Sequence, residues 1–240
     1  MIRIRAFRAP DDKETCEKFI TGHRHILEVY YGIIKISSDS TEWTKDPLCI
    51  VIVAEDTETG KVYGGARVQI AGGIHPLPIE VAIQKYDSNI ITEVQKSHEE
   101  GGTCEICGLW NSKEIAGMGI GSKILSCVGI AITNQVGLKS IYVLLAPATL
   151  QMGYNMGLEV VTSLGKGGTF FYPKDNFVAT VMRLKDIYDL SHARASEREQ
   201  ILFLRNNTNQ IKQERGPKGS YEVEYDLLLQ KSPEGQNTIV

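Results

Sequence analysis

The spacing of apolar residues in the first half of the chain predicts a strand, a helix and a hairpin. Apolar and basic residues alternate over residues 2–7, as in a strand with one buried face. Pro10 and the two aspartates after it mark a helix start, because proline and acids suit a helix N-terminus. The β-branched run from Leu48 to Ala54 predicts a buried strand, and residues 62–70 predict its antiparallel partner.

The second half predicts further strands and helices around a glycine-rich segment. In chain order these are a helix over 79–98, a strand over 103–110, a helix of about 15 residues after the glycines, a strand over 140–145, a short helix over 149–156, and strands over 158–162 and 177–184. From residue 186 the chain becomes more charged. This last part predicts a helix over 196–206, a polar and turn-rich segment over 213–220, and a strand over 221–229.

Composition and charge narrow the classes of function. The chain has 240 residues and a net charge of -3, so no basic field favours nucleic acid. No apolar run reaches the roughly 18 residues that a membrane span needs, and the N-terminus lacks the apolar core of a signal peptide. The five cysteines are an odd number in apolar surroundings, which is typical of reduced thiols. We therefore expect a cytoplasmic protein with no membrane span and no nucleic-acid partner.

The most specific motif is the segment 117–123, Gly-Met-Gly-Ile-Gly-Ser-Lys, between a predicted strand and a predicted helix. Alternate glycines at such a junction expose backbone N–H groups, and the helix N-terminus adds a positive field. The segment thus predicts a site for a phosphate or pyrophosphate. A nucleotide-binding P-loop requires Gly-Lys-Ser/Thr, which this sequence lacks. The dinucleotide fingerprint requires its third glycine one residue later than Gly121.

The residues 116–121 (Ala-Gly-Met-Gly-Ile-Gly) are similar to the loop of the GNAT superfamily of N-acetyltransferases, Arg/Gln-x-x-Gly-x-Gly/Ala. Gly119 and Gly121 match, whereas Ala116 stands where that pattern has Arg or Gln. The element order of residues 1–185 also resembles this superfamily. The resemblance implies a GNAT-type acyl-CoA N-acyltransferase fold of the α/β (α+β) class, with a mixed, mostly antiparallel sheet flanked by helices. Residues 186–240 would form a C-terminal helix and strand extension packed on this domain.

A narrower resemblance is to the branch of autoinducer (acyl-homoserine-lactone) synthases and N-acyl amino acid synthases. It rests on residues 64–68 (Gly-Gly-Ala-Arg-Val), 77–80 (Leu-Pro-Ile-Glu) and 105–110 (Glu-Ile-Cys-Gly-Leu-Trp). Arg67 and Glu105 match this pattern, and Gly108 stands where its Glu-x-x-Arg pair has arginine. Because that branch uses donors with long acyl chains, the donor length stays open.

The GNAT resemblance implies acetyl-CoA or acyl-CoA as the co-substrate. Two groups of residues would bind it. Backbone N–H groups near Leu109, Trp110 and Asn111 would polarise the thioester carbonyl. The pyrophosphate would lie on the loop formed by Ala116, Gly117, Met118, Gly119, Ile120, Gly121 and Ser122.

Four side chains are candidates for the chemistry. Glu105 is the candidate base, because an acid is uncommon on an otherwise apolar strand; the alternative is a solvated or hydrogen-bonded acid. Tyr154 is the candidate proton donor to the departing thiolate, with a packed tyrosine as the alternative. Arg67 and His75 are candidates for binding substrate. Their alternatives are an ion pair with Glu80 for Arg67 and simple solvation for His75.

Cys104 and Cys107 form a Cys-x-x-Cys pair. With no second pair and no histidine nearby, this spacing is weak for zinc, so we expect buried thiols and no metal. His23 lies on the apolar face of the first helix and is expected to be a core histidine.

The sequence thus predicts an acyltransferase that moves an acetyl or longer acyl group from coenzyme A to a small-molecule primary amine. One alternative is a synthase of an N-acyl amino acid or lactone signal that uses an acyl carrier protein. An acidic carrier requires a basic docking surface, and this chain is mildly acidic. The other alternative is a non-catalytic protein that binds acyl-CoA as a sensor. The oligomeric state stays open, and the C-terminal extension offers a surface for a homodimer.

Overall fold

The computed structural model describes residues 1–34, 36 and 40–230. The helices are α1 (Lys13–Tyr31), α2 (Pro78–Ile83), α3 (Asn89–Glu99), α4 (Ser122–Ile132), α5 (Pro147–Asn155) and α6 (Ala195–Asn206). The strands are β1 (Ile2–Arg8), β2 (Cys49–Asp56), β3 (Val62–Ile70), β4 (Thr103–Asn111), β5 (Ser140–Leu145), β6 (Glu159–Val160), β7 (Thr169–Phe171), β8 (Val178–Leu184), β9 (Asn209–Gly216) and β10 (Gly219–Asp226). Short 3₁₀ turns cover Ala9–Asp11, Glu42–Lys45 and Thr133–Val136.

The strands form one sheet in the order β6-β8-β5-β4-β3-β2-β1-β10-β9, and β7 pairs with β8. In the described part of the chain, β4 pairs with β5 and β1 pairs with β10 in parallel. The remaining neighbours run antiparallel. The predicted mixed, mostly antiparallel sheet is therefore confirmed.

Helices cover both faces of the sheet. Helices α1, α2 and α3 pack on one face, and α4 packs on the other, where α6 contacts it. In β2, Ile50 and Ile52 belong to the core under α4, whereas Val51 and Val53 belong to the core under α1. Because both faces are covered, this strand is a continuous apolar run rather than an alternating one.

The C-terminal residues enlarge the sheet. Strands β9 and β10 form a hairpin that adds to the sheet beside β1, and α6 packs against α4. Lys123 of α4 forms a 2.9 Å ion pair with the buried Glu197 of α6. Residues 231–240 of the predicted extension lie outside the described range.

The segment predicted as one helix over 79–98 forms two helices, α2 and α3, so that prediction was wrong. Asp87 lies at the break. Its two carboxylate oxygens accept from the N–H of Asn89 at 3.0 Å and from the N–H of Gly165 at 2.8 Å. This side chain therefore competes with the helical hydrogen-bond pattern and ties the break to a neighbouring loop.

The polar segment 213–220 was predicted to be turn-rich, but it lies mostly in β9 and the start of β10. Strand β9 is a mostly exposed edge strand, so it shows no run of buried positions. Backbone pairing with β10 holds β9 in its extended conformation. The side-chain pattern of β9 alone does not indicate this pairing. Strand β7 was not predicted for a similar reason, since it is three residues long and is held by backbone pairing with β8.

Tyr225 anchors the hairpin to the core. Its hydroxyl donates to Oε1 of the buried Glu214 at 2.7 Å, and Lys212 Nζ lies 2.9 Å from the same oxygen. We expect Tyr225→Phe to lower the free energy of unfolding by about 1.5–3 kcal/mol, because it removes a hydrogen bond to a buried charged group. Denaturant unfolding measures the loss. In the control Tyr221→Phe, the lost bond is to the exposed carbonyl of Lys218, and the change should stay below about 0.5 kcal/mol. Equal losses in the two variants would contradict this role.

Candidate active site

Strands β4 and β5 run together for a short distance and then separate. Their parallel pairing covers three register pairs and ends at Glu105 of β4. Beyond this point β4 continues along β3, and β5 continues along β8. A gap therefore opens in the middle of the sheet, bordered by residues 106–109 of β4 and 143–145 of β5.

A β-bulge in β4 lies at this gap. The register of β3 against β4 shifts between Gly65 and Arg67. Gly108 and Leu109 therefore lie opposite a single residue of β3. Gly108 has a φ of +60°, and a Cβ here would lie 3.3 Å from the ring of Phe19. The bulge thus favours glycine at the position where the acyl-homoserine-lactone synthase pattern has arginine.

A cavity of about 500 Å³ occupies the gap, which is within the size range of small-molecule sites. Its wall is mostly apolar and includes residues from both faces of the sheet. On the α1 face the wall includes His23, Leu27, Pro78, Tyr172 and Phe177, and on the α4 face it includes Ser126, Ile130 and Met156. A molecule bound here would contact both helical layers.

Glu105 lies on the wall of this cavity and is only 2% exposed. Its Oε2 accepts a hydrogen bond from the N–H of Ile79 in α2 at 2.6 Å. No other described residue hydrogen-bonds the carboxyl group, and no described cation lies within ion-pair distance. One oxygen is therefore held in place, and the second has no protein partner.

Burial raises the pKa of the Glu105 carboxyl from 4.5 to about 8. The N–H of Ile79 and the positive charge of Arg67 oppose this rise, and the charge of Glu80 adds to it. A carboxyl with a pKa near 8 exchanges its proton close to neutral pH, as a general base does. The structure thus combines cavity access and a suitable pKa at the residue that the sequence predicts as the base.

Arg67 lies behind the cavity wall. It is 2% exposed, its guanidinium stacks on Trp43 at 4.5 Å, and its Nε has no hydrogen-bond partner among the described residues. Cys107, opposite it in the register, is on the wall. The alternative ion pair with Glu80 is not formed, since Glu80 accepts from the N–H that precedes α2. Arg67 thus places a positive charge near Glu105 without forming an ion pair with it.

The glycine loop, residues 116–122, joins β4 to α4 as predicted. Gly117 and Gly119 have φ values of +82° and +83°, which glycine adopts without strain. Among the described residues, no group accepts a hydrogen bond from the N–H of Gly119, Ile120 or Gly121. These N–H groups lie at the N-terminus of α4, so the loop has the features of a phosphate site.

The three residues predicted to bind the thioester differ in position. Leu109 lies on the cavity wall. Trp110 is buried with its ring against Phe19, and its Nε1 has no partner among the described residues. Asn111 accepts through Oδ1 from the hydroxyl of Ser122 at 2.6 Å, which ties the end of β4 to the start of α4. Of the three, the structure brings Leu109 to the cavity.

The structure does not bring Tyr154 or His75 to the cavity. The Tyr154 side chain of α5 is 44% exposed, whereas its neighbours Met152, Gly153 and Met156 lie on the wall. Successive positions on a helix differ by about 100° in direction, so the next residue along can face solvent. His75 is half-buried in the loop between β3 and α2, away from the wall.

Several wall residues were not predicted. His23, expected to be a core histidine, is buried and lies on the wall together with Leu27. Tyr172 and Phe177 reach the wall from the connection between β7 and β8. In the sequence these are ordinary apolar or aromatic positions, and only the packing of distant segments brings them together.

Cys104 and Cys107 are buried thiols, as predicted. All five cysteines are free and buried. Burial raises the pKa of Cys107 to about 11 and also raises that of Cys104, so both thiols stay protonated at neutral pH. Among the described residues, no three His, Cys, Asp or Glu side chains are grouped to hold a metal ion.

None of the described helices has the length and apolar character to cross a membrane.

The fold of this chain is similar to those of several solved structures. FeeM, an N-acyl amino acid synthase from uncultured soil microbes, superposes with a TM-score of 0.55 at 12% identity, covering 83% of this chain and 98% of FeeM. BjaI, a CoA-dependent acyl-homoserine lactone synthase, superposes with a TM-score of 0.53 at 12% identity. This match covers 86% of the present chain and 90% of BjaI. An acyl-CoA N-acyltransferase from Pseudomonas aeruginosa superposes with a TM-score of 0.51 at 12% identity. This match covers 76% of the present chain and 99% of that enzyme. The chain has the GNAT-type N-acyltransferase fold.

The predicted fold is thus confirmed, and two of these neighbours are synthases of the branch that the sequence resembles. No protein-family model matches the sequence, and no curated protein does. Because identities near 12% establish a fold alone, the reaction of this GNAT-type chain has to be argued from its own site.

The burial of Glu105 predicts a pH-dependent stability. The folded state holds the Glu105 proton more tightly than the unfolded state, because the folded pKa is about 8 against 4.5. The stability that this group contributes is therefore full below pH 4.5 and is lost as the pH rises through about 8. Glu105→Gln cannot titrate, so its melting temperature relative to that of the wild type should rise between about pH 5 and about pH 8.

Thermal unfolding across this pH range measures the effect. The matched control is Glu99→Gln, which removes an exposed carboxylate at the end of α3 and should keep the wild-type profile. If the profiles of Glu105→Gln and the wild type are parallel, the carboxyl of Glu105 does not titrate as proposed.

Proposed function

We propose that this chain is an N-acyltransferase that moves an acyl group longer than acetyl from coenzyme A to a primary amine. The observation that carries the proposal is the cavity in the β4–β5 gap, with Glu105 on its wall. The GNAT-type fold supports it, since the similar structures are described as N-acyltransferases and as synthases of N-acylated products.

The donor would lie along the start of α4. The unpaired N–H groups of Ile120 and Gly121 in the glycine loop suit the pyrophosphate of coenzyme A. Ser126, on the cavity wall, lies one helical turn after Ser122 of the loop. A donor with its phosphates on the loop would therefore extend its thioester arm along α4 towards the cavity, where Leu109 lies on the wall.

The apolar wall suits an acyl chain. Each methylene transferred from water to such an environment contributes about 0.8 kcal/mol, or roughly a fourfold gain in affinity. A cavity of about 500 Å³ leaves room for more than an acetyl group. Donors should thus bind more tightly as the chain lengthens until the cavity is filled.

Glu105 would transfer the protons. As a carboxylate it accepts a proton from the amine through Oε1, directly or through a water, while Ile79 holds Oε2. The new C–N bond forms and the thioester C–S bond breaks. The thiol then leaves with a proton, which the protonated Glu105 can return. A pKa of about 8 suits a group that both accepts and returns a proton near neutral pH.

The first test is turnover, measured as release of free thiol from a medium-chain acyl-CoA with a panel of amines. We expect Glu105→Gln to lower kcat/KM by roughly 10²–10⁴-fold, because it removes the proton acceptor. The wild-type kcat/KM should rise with pH up to about 8, since the ionised form is the base.

Glu99→Gln again serves as the control and should keep full activity. Full activity of Glu105→Gln would show that this carboxyl is not the base. Binding of acyl-CoA without turnover on any amine would favour the non-catalytic sensor, and turnover only with an acylated carrier protein would favour the carrier-dependent synthase.

The second test concerns the acyl chain. Ile130→Phe places a larger side chain on the α4 side of the cavity. We expect the ratio of kcat/KM for octanoyl-CoA to that for acetyl-CoA to fall roughly tenfold, which corresponds to the space of about two methylenes.

Ile124→Phe is the matched control, because Ile124 is buried on the same helix but away from the cavity wall. It adds the same bulk and should leave the ratio unchanged. Equal ratios for the wild type and Ile130→Phe would mean that the chain does not occupy this cavity.

A further inference from the structure

The tip of the β9–β10 hairpin, residues 216–219, lies directly on the glycine loop. The N–H of Lys218 donates to the carbonyl of Gly117 at 2.9 Å. A Cβ on Gly119 would lie 2.5 Å from the carbonyl oxygen of Arg215, and a Cβ on Gly216 would lie 2.4 Å from the Gly119 nitrogen. This is backbone-to-backbone contact that leaves no room for a side chain at Gly119 or Gly216. The C-terminal hairpin is therefore part of the structure around the loop.

The contact places a lysine side chain on the loop. The Cγ, Cδ and Cε atoms of Lys218 lie 3.2–3.4 Å from the position that a Cβ on Gly117 would take. In the part of the chain that the structure describes, no ion pair involves Lys218 or Arg215. By contrast, the nearby Lys123 is paired with Glu197 at 2.9 Å. The hairpin thus brings to the glycine loop one lysine that has no carboxylate partner among the described residues.

The loop itself supplies no cation. Its residues from Ala116 to Gly121 are alanine, methionine, isoleucine and glycines, so it offers an anion only N–H groups and the field of α4. A positively charged side chain that contacts a phosphate on the loop would therefore come from another segment. The stem of Lys218, packed across Gly117, meets this requirement and costs little side-chain freedom because the stem is already positioned.

We propose that Lys218 of the C-terminal hairpin binds a phosphate group of the acyl donor at the glycine loop. The proposal rests on the proposed function, because it takes the donor to carry a phosphopantetheine arm. Coenzyme A and a carrier-bound phosphopantetheine share this phosphate chemistry. The C-terminal strands then have a binding role and do not only enlarge the sheet.

The experiment measures binding of three probes to the full chain by calorimetry: coenzyme A, 4′-phosphopantetheine and pantetheine, which has no phosphate. Lys218→Met keeps a stem on Gly117 and removes the charge. We expect it to raise the Kd for the phosphate-bearing probes roughly fivefold and to leave pantetheine binding unchanged. The salt dependence of coenzyme A binding should also become weaker. Lys218→Arg should restore affinity, and Lys166→Met, at an exposed lysine of another loop, should bind like the wild type.

The outcomes separate this proposal from the proposed function. Unchanged coenzyme A and phosphopantetheine binding by Lys218→Met would overturn the role of Lys218, as would an equal loss for pantetheine, which indicates a structural effect. A loss for coenzyme A alone supports the proposal and assigns Lys218 to its nucleotide phosphates. A loss for both phosphate-bearing probes supports it and assigns Lys218 to the phosphate of the arm. If the wild type binds neither phosphate-bearing probe, the proposed function fails and this proposal fails with it.

Discussion

The rest of the structure depends on the separation of β4 from β5. Two parallel strands in the middle of a sheet normally keep their hydrogen bonds, because unpaired backbone groups in a core are costly. Here the pairing stops at Glu105, and β4 and β5 continue with different neighbours. This break leaves backbone groups of β4 and β5 without strand partners, which costs stability. In its place lies a cavity that could hold a ligand, rather than a continuous core. The bulge at Gly108 and the wall residues of α1 and α4 all border this break.

The C-terminal extension links the far edge of the sheet to the start of α4. Strand β10 lies beside β1, whereas the hairpin tip touches the glycine loop, and α6 contacts α4. A loop whose glycines have positive φ values has many conformations open to it, so its native shape depends on its neighbours. Two neighbours are visible here: Asn111, which holds Ser122, and the Lys218 N–H, which holds the Gly117 carbonyl.

Much of the fold could be predicted from the sequence, because β1 to β5 and α1 have clear apolar patterns and the glycine loop has a recognisable spacing. Where the prediction was wrong, non-local pairing decided the structure: β9 is held by β10, and Asp87 splits a helix by bonding to Gly165. In the site, Glu105 could be chosen as a candidate because it is an acid in an apolar strand, and it lies on the cavity wall. The exposed position of Tyr154 could not be predicted, because adjacent positions on a helix point in different directions. Gly153 lies on the cavity wall, whereas Tyr154 faces solvent. The wall from Tyr172 and Phe177, and the hairpin on the loop, arise from contacts between distant segments that no local pattern records.

The burial of Glu105 also helps to distinguish a role in stability from a role in proton transfer. A buried carboxyl kept for stability would be expected to have several hydrogen bonds or an ion pair, because desolvating a charge is expensive. Glu105 has one N–H donor, and the buried Arg67 nearby stacks on Trp43 instead of pairing with it. Replacing an arrangement of this kind with apolar side chains would be expected to stabilise the core rather than weaken it. A costly, incompletely satisfied acid on the wall of a cavity therefore supports the proposed role in proton transfer more than a role in folding.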